Sequence, residues 1–231
     1  MPALSISAEA MASYIDHTIL KADATSEDIL RLCSEAAEYR FKAVCVNPSR
    51  VSLAAKALSG TDVQVCTVVG FPLGASTPAS KAFEAAEAVR NGAMEIDMVI
   101  NIGLLKEGKE DEVYRDVKSV VDSVSSVNSL ALVKVIIETC YLTSEEIIKA
   151  SLISERAGAG FVKTSTGLGT GGATVENIKL IRGTAAPHMG IKASGGIKTL
   201  DQALRMIEAG ATRIGTSSGL QIIKELMENN L

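Results

Sequence analysis

The chain has 231 residues, of which 47% are apolar, 22% charged and 3% aromatic, a composition that can bury one large aliphatic core and excludes a disordered protein. A net charge of -4 and the absence of any block of like charges argue against a nucleic-acid-binding protein and against a polybasic membrane anchor. The expected partner is therefore a small molecule.

Short apolar segments typical of β-strands alternate with helical patterns along the whole chain, which indicates βα units around a parallel sheet. Eight such segments fit a closed barrel, so the sequence predicts an α/β fold, a single-domain (β/α)8 TIM barrel over residues 1–231. The predicted strands cover residues 14–16, 43–46, 63–69, 95–100, 131–138, 160–163, 190–193 and 212–215.

Helix start signals lie between these strands. Thr25 with Asp28, and Thr143 with Glu146, have the spacing of a capping box. A short helix over residues 7–11 is expected to cap the bottom of the barrel ahead of the first strand.

The dipeptide Gly-Ala precedes three of the predicted strands, at residues 92–93, 158–159 and 210–211. Because the three units repeat the same step from helix to strand, the residues five positions after each glycine should share one rim. That rim is the carboxyl end of the strands, where barrel active sites are built. The three residues are Asp97, Lys163 and Gly215.

Two lysines end successive apolar strands. Lys163 is followed by a loop of glycine and hydroxyl residues, and a lysine there can attack a carbonyl carbon once it has lost its proton. Lys192 ends the next strand, about 4.8 Å away, so its positive charge would favour the neutral form of Lys163. A solvated surface charge is the alternative for a single lysine, but the pair predicts a Schiff-base nucleophile and its cationic neighbour.

Other charged residues interrupt apolar strands. Asp97 is interpreted as a proton shuttle between carbonyl and imine, with a fixed ion pair that orients Lys192 as the alternative. Asp16, placed at the end of the first strand, leaves a structural and a functional role equally open. Lys134 lies deep in an apolar strand and is expected to pair with Asp97 or Glu138 inside the barrel.

A phosphate site is predicted from two loops together. Gly195 and Gly196 allow close backbone approach to an anion, and residues 215–219 place hydroxyl groups and amides where the last helix begins. Barrels frequently bind phosphate after strands seven and eight, where these loops fall. Lys198 and Arg213 lie nearby, with surface positions equally open for both.

With His17 and His188 as the only histidines, a histidine-built metal site or catalytic triad is not expected. Cys45 is expected to line the barrel mouth as a small hydrophobic residue and not as a nucleophile. The sequence has neither a signal-peptide pattern nor C-x-x-C spacing, which predicts a cytoplasmic protein. The cysteines are Cys33, Cys45, Cys66 and Cys140.

The segments that carry these residues resemble the deoxyribose-phosphate aldolase family, in order and over almost the whole chain. The most specific likeness is Lys-Thr-Ser-Thr-Gly at residues 163–167 with Lys-x-x-Gly-Gly at residues 192–196. The other matching segments are residues 15–21, 43–48, 68–74, 95–99 and 134–139.

This resemblance implies a lyase that reversibly splits 2-deoxy-D-ribose 5-phosphate into D-glyceraldehyde 3-phosphate and acetaldehyde, with no metal or organic cofactor and with a homodimer as the assembly. Lys163 matches the imine-forming lysine, Lys192 the lysine that assists it, and Asp97 the acid/base partner. The predicted substrate-binding residues, from motifs and resemblance together, are Asp16, Thr18, Cys45, Thr166, Gly167, Gly195, Gly196, Gly215, Ser217 and Ser218.

Two positions depart from the pattern of some family members. Leu168 stands where they have a basic residue, which removes one phosphate contact, and residues 229–231 offer no tyrosine in the tail. Two other functions remain open on the sequence: a different phosphate-binding barrel, such as a transaldolase-like enzyme or an isomerase, and a sugar-phosphate sensor without turnover.

Overall fold

The computed structural model describes residues 6–229. Eight parallel strands form a closed barrel in which neighbours in the chain are neighbours in the sheet, and the first strand pairs with the last. The predicted (β/α)8 fold is therefore confirmed. The strands are β1 (Ile15–Ile19), β2 (Ala43–Val46), β3 (Gln64–Val69), β4 (Glu95–Val99), β5 (Leu132–Ile136), β6 (Phe161–Lys163), β7 (Gly190–Ser194) and β8 (Arg213–Thr216).

Helices surround the barrel, and both predicted capping boxes are present. Thr25 and Asp28 exchange side-chain and backbone hydrogen bonds at one helix start, and Thr143 and Glu146 do so at another. The helices are α1 (Ala8–Ala12), α2 (Ser26–Tyr39), α3 (Val51–Ala57), α4 (Pro78–Arg90), α5 (Ile102–Lys106), α6 (Glu110–Val127), α7 (Ser144–Arg156), α8 (Val175–Thr184), α9 (Leu200–Glu208) and α10 (Gly219–Asn229), with short 3-10 turns at Pro48–Arg50 and Thr139–Tyr141.

The two faces of the strands have different chemistry. The outer face packs aliphatic side chains such as Val135, Ile191 and Ile214 against the helices, and these form the main hydrophobic core. Because side chains alternate along a strand, the intervening residues point into the barrel. In the parallel register Lys163 lies beside Lys192, so both amines are carried on that inner face, as the sequence predicts.

The first strand differs from the prediction. It begins one residue later than predicted and continues to Ile19, so Asp16 is its second residue and not its end. The strand continues through Asp16 because this carboxylate, although fully buried, is paired with Lys192 and Arg213 inside the barrel.

Helix α1 is capped by Ser7 and buries Met11 and Ala12 ahead of the first strand. It packs against α10, and its role as a cap on the bottom of the barrel stays a prediction. None of the helices between residues 6 and 229 combines the length and apolar character needed to cross a bilayer.

Candidate active site

The centre of the barrel is organised around one carboxylate. The ammonium groups of Lys163 and Lys192 both donate to Oδ2 of Asp97, at 2.8 and 2.7 Å. Lys134 donates to the other oxygen, Oδ1, at 2.8 Å. Asp97 and Lys192 are fully buried, and Lys163 is 3% exposed. The strands thus bring the three predicted catalytic side chains into direct contact.

A second layer of ion pairs lies beside Asp97. Asp16 accepts from Lys192 at 2.5 Å and from Arg213 at 2.6 Å. Glu95 accepts from Arg213 at 2.8 Å and from Lys134 at 2.5 Å. This layer settles the position of Arg213, which is buried inside the barrel instead of lying on the surface, and it includes Asp16 as an ion-pair member, whose substrate-binding role stays a prediction.

One of the two partners expected for Lys134 is confirmed. It pairs with Asp97, but Glu138, the other candidate, lies beyond the end of β5 and accepts from Thr166 in the loop after β6. The two residues are four apart on a strand that ends at Ile136, so they lie at different heights in the barrel. Glu95 occupies the place predicted for Glu138.

The charges of this cluster do not cancel. Four basic side chains (Lys134, Lys163, Lys192 and Arg213) meet three carboxylates (Asp16, Glu95 and Asp97). Lys163 has one carboxylate partner in the described part of the chain, whereas Lys134 and Lys192 each have more than one. Loss of one proton from Lys163 would therefore bring the buried cluster to formal neutrality.

Asp97 and Lys192 are held in their charged forms. Burial alone would raise the pKa of Asp97, but Lys134, Lys163 and Lys192 outweigh it and hold that pKa well below its usual range. Burial likewise opposes charge on Lys192, yet Asp16 and Asp97 raise its pKa above the ordinary lysine value. Asp97 is thus a permanent carboxylate near neutral pH and Lys192 a permanent cation.

A cavity of about 340 Å³ opens above Lys163. Its polar wall is formed by the loops after β6, β7 and β8, and Gly167, Gly195 and Gly196 all have positive φ values of 80 to 86°. The tight approach of Gly195 to Gly172 leaves no room for a side chain at either position. Phe71 and Leu20 line the cavity on the β1 and β3 side, and Lys21 and Lys198 add two cations.

Most predicted substrate-binding residues line this cavity, namely Thr18, Thr166, Gly167, Gly195, Gly196, Gly215 and Ser217. Cys45 does not, because it is fully buried inside the barrel against Cys66 and Val68. Ser218 lines a separate depression beside His17 and Glu35. Asp16 lies below the cavity, as described above.

Several residues of the site were not singled out from the sequence. Phe71, Thr216 and Lys21 line the cavity, and each lies in a segment that the sequence analysis had already marked without naming a role for the residue. Glu138 was considered only as a partner of Lys134, although it is buried beneath the β6 loop. The signal that could have marked Glu138 as a site residue was its position, a carboxylate directly after an apolar strand.

One group of side chains has the composition of a soft-metal site. Cys45, Cys66 and Asp97 place potential ligand atoms within 4.8 Å of one another. Both oxygens of Asp97, however, already accept hydrogen bonds from ammonium groups. A cation there would have to displace those lysines, so the arrangement fits an ion-pair network better than a metal centre.

Comparisons with known proteins agree with this geometry. A family model described as DeoC/LacD family aldolase matches residues 10–225. A deoxyribose-phosphate aldolase of Geobacillus sp. (strain WCH70) is 56% identical over 220 residues, covering 95% of this chain and 97% of the relative. One of Thermococcus gammatolerans is 59% identical over 216 residues, covering 93% and 95%.

The fold of a solved relative agrees as well. The structure described as the unique tetrameric structure of deoxyribose phosphate aldolase from Aeropyrum pernix superposes with a TM-score of 0.90 at 35% identity, covering 96% of this chain and 93% of the other. The barrel fold and the sequence similarity both extend along nearly the full length, and the chain belongs to the DeoC/LacD family of aldolases.

Proposed function

We propose that this chain cleaves 2-deoxy-D-ribose 5-phosphate reversibly into D-glyceraldehyde 3-phosphate and acetaldehyde through an imine on Lys163. The observation that carries the proposal is the position of Lys163, whose amine faces the cavity and shares one oxygen of Asp97 with Lys192. The substrate is inferred from the relatives named deoxyribose-phosphate aldolase, which are 56% and 59% identical to this chain in sequence.

The first step joins enzyme and substrate. The neutral amine of Lys163 adds to the C1 aldehyde of the open-chain sugar, and the carbinolamine loses water to give a protonated imine. The proton that leaves Lys163 has Asp97 as its adjacent acceptor, at 2.8 Å. The Lys192 ammonium, on the same oxygen, stabilises the carboxylate as this proton moves on to water or to the departing hydroxyl group.

The second step breaks the carbon chain. A base removes the proton of the C3 hydroxyl group, the C2–C3 bond breaks, and its electron pair forms the enamine with the imine as electron sink. Glyceraldehyde 3-phosphate leaves with C3 as its aldehyde carbon. Protonation of the enamine at C2 and hydrolysis then release acetaldehyde and restore Lys163. Asp97 is ionised before this step, so it is able to act as the base, directly or through one water.

The phosphate would lie against the loops after β6, β7 and β8. Gly167, Gly195 and Gly196 line this side of the cavity, with Ser217 at the turn into α10. Backbone N–H groups and a helix start favour an anion at such a place. Lys198 and Lys21 support the same placement, since both line the cavity and neither is held in an ion pair with another described residue.

Borohydride trapping tests the proposal. Reduction in the presence of acetaldehyde should add an ethyl group at Lys163, detected by mass spectrometry of the peptide that contains it. Lys163→Ala serves as the control, which should take up no label while remaining folded. Folded wild-type protein that releases acetaldehyde from the sugar phosphate but carries no label on Lys163 would exclude the imine mechanism.

We also propose that the chain forms a homodimer and works in the cytoplasm. Exposed apolar side chains such as Leu73 (74%) and Phe83 (68%) support self-association, and the four cysteines are free thiols, as a reducing compartment would keep them. Light scattering on the purified protein measures the assembly directly, and a monomer at all concentrations would contradict the dimer.

A further inference from the structure

Glu138 follows the end of β5 in a backbone conformation that side chains disfavour. Its φ of 54° and ψ of 67° lie in the left-handed region. Arg40 is the other non-glycine residue between 6 and 229 with positive φ, and it is the exposed end of a helix, where this conformation is ordinary. Glu138, in contrast, is 2% exposed and sits beneath the loop that follows the nucleophile strand.

The Glu138 carboxylate accepts its N–H and O–H hydrogen bonds from that loop, with a longer contact of 3.8 Å from the Cys140 thiol to Oε1. Both of its oxygens accept from the backbone N–H of Thr166 at 3.2 Å, and Oε2 accepts from the Thr166 hydroxyl at 2.5 Å. Unlike Asp16 and Asp97, Glu138 has no ion pair with any cation of the described chain. A buried carboxylate without a cationic partner is unfavourable unless it has a use elsewhere.

The loop held in this way forms part of the cavity. Thr166, Gly167 and Leu168 all line it, and the Thr166 hydroxyl accepts in turn from the Leu168 N–H at 3.1 Å. Glu138 therefore fixes the turn through a chain of two hydrogen bonds. The loop also passes directly over the carboxylate, because a side-chain carbon placed on Gly169 would come within 3.3 Å of it.

A strained backbone and a buried carboxylate without a cationic partner at one residue are typical of positions kept for function. We propose that Glu138 is a positioning residue that holds the turn at residues 166–168 in the form that binds the phosphate-bearing end of the substrate. This inference rests on the proposed function, since it takes the sugar phosphate as the ligand. Glu138 itself does not line the cavity and touches no reacting atom.

The turn begins three residues after Lys163, and the lysine is fixed independently by β6 and Asp97. Removal of Glu138 should therefore affect phosphate recognition and leave imine formation in place. The phosphorylated sugar and the same sugar without its phosphate then respond differently, which a general loss of stability would not produce.

Glu138→Ala, Glu138→Gln and Glu138→Gly test the inference in the full-length protein. For Glu138→Ala we expect the KM for 2-deoxyribose 5-phosphate to rise about tenfold, as for loss of a charge-assisted contact, with kcat changed by less than about threefold. The kcat/KM for unphosphorylated 2-deoxyribose should fall by no more than about twofold, and borohydride labelling of Lys163 with acetaldehyde should persist. Glu138→Gln keeps an acceptor and should fall between Ala and wild type.

Glu138→Gly separates function from stability. Glycine adopts positive φ without strain, so this variant should unfold at a temperature no lower than Glu138→Ala while showing the same rise in KM. Arg40→Gly is the matched control, because it relieves the same backbone conformation at an exposed site and should leave KM unchanged. If the Ala variant does not fold, the Gln and Gly variants carry the comparison.

Binding of inorganic phosphate, measured by calorimetry, distinguishes this inference from the proposed function. Weaker binding in Glu138→Gly than in wild type supports the positioning role even if the wild-type protein shows no aldolase activity. Equal losses on phosphorylated and unphosphorylated sugar, or unchanged phosphate affinity, would overturn it. Wild-type protein without imine labelling would instead refute the proposed function alone.

Discussion

Lys163 and Lys192 direct their ammonium groups at the same oxygen atom of Asp97. The carboxylate therefore stands in contact with both amines and offsets the repulsion that two neighbouring lysines would otherwise feel. What sets Lys163 apart is its position, since it faces the cavity and has a single carboxylate partner in the described chain. The excess of basic groups in the cluster can be relieved at this residue without leaving any carboxylate unpaired.

Lys163→Met should abolish turnover and preserve the fold. The substitution removes the nucleophile, so kcat/KM should fall by a factor on the order of a thousand or more. It also leaves three basic groups facing three carboxylates, so the buried cluster becomes formally neutral. Acetaldehyde release and thermal unfolding measure the two effects. Exposed Lys179→Met is the control, and cleavage by Lys163→Met at the control's rate would refute the nucleophile assignment.

Lys192→Met should move the activity profile to higher pH. The substitution removes the cation that shares Asp97 Oδ2 with Lys163, and with it the repulsion that favours the reactive neutral amine. The variant should also lose about 3 kcal/mol of unfolding free energy, because Asp16 and Asp97 each lose a buried partner.

Lys192→Arg keeps the charge and is the matched comparison for this prediction. Its pH dependence of acetaldehyde release should stay closer to wild type than that of Lys192→Met. A pH profile that is identical in the Met variant and in wild type would show that Lys192 has no electrostatic role towards the nucleophile.

Stability should depend on pH at both extremes because of the same cluster. Burial raises the pKa of Asp16 and Asp97, but the surrounding cations dominate and lower both below the ordinary carboxyl value. Their contribution is full above about pH 4 and is lost as the pH falls through the folded values. Lys134 and Lys192 have raised pKa values, so their contribution is full below about pH 10 and is lost above it.

Urea unfolding across this range measures the effect. The unfolding free energy should fall steeply below about pH 4, and Asp97→Asn should flatten the acid limb while lowering the plateau. An acid limb of unchanged slope in Asp97→Asn would show that this carboxylate does not contribute to acid unfolding.

The sequence predicted the lysine pair because Lys163 and Lys192 lie in successive apolar strands, and the parallel register places them side by side. The predicted position of Asp16 at the end of the first strand was wrong, since a sequence does not show that Arg213 will enter the barrel and pair with it. Sequence patterns locate positions along a strand, but the partner of a buried charge comes from strands far apart in the chain.

The loops were less predictable than the strands. Gly195 and Gly196 were expected to allow close backbone approach, and both have the positive φ values that suit glycine. Cys45, assigned to the mouth, is instead covered by Phe71 and Leu20, whose placement depends on loops without a periodic pattern. Tertiary packing, not local preference, decided that difference.

Leu168→Lys should strengthen phosphate recognition. Leu168 lines the cavity and is 66% exposed, so a lysine there can reach the phosphate loops without burying its charge. We expect the KM for the phosphorylated sugar to fall about threefold, with a stronger salt dependence and no change for the unphosphorylated sugar. Leu130→Lys, at an 80% exposed site away from the cavity, is the control, and an equal response of both variants would contradict the placement of the phosphate.

A buried ion pair outside the barrel cluster, between Lys81 on α4 and Asp116 on α6, supports the site from the helix layer. Lys81 Nζ donates to Asp116 at 2.7 Å and to the backbone oxygen of Val99, the last residue of β4, at 2.8 Å. Burial lowers the pKa of Lys81 and raises that of Asp116 despite their contact, so the charged pair forms against a desolvation penalty.

Removing one member of this pair should therefore be worse than removing both. Asp116→Leu leaves a buried ammonium with the Val99 carbonyl alone and should lower the unfolding free energy by about 3 kcal/mol. The double variant Lys81→Met with Asp116→Leu should recover most of that loss, because apolar side chains of similar volume carry no desolvation penalty. Urea unfolding of the two single variants and the double variant measures the coupling. Additive losses would mean that the two side chains contribute independently, and that the end of β4, which carries Asp97, is held by packing alone.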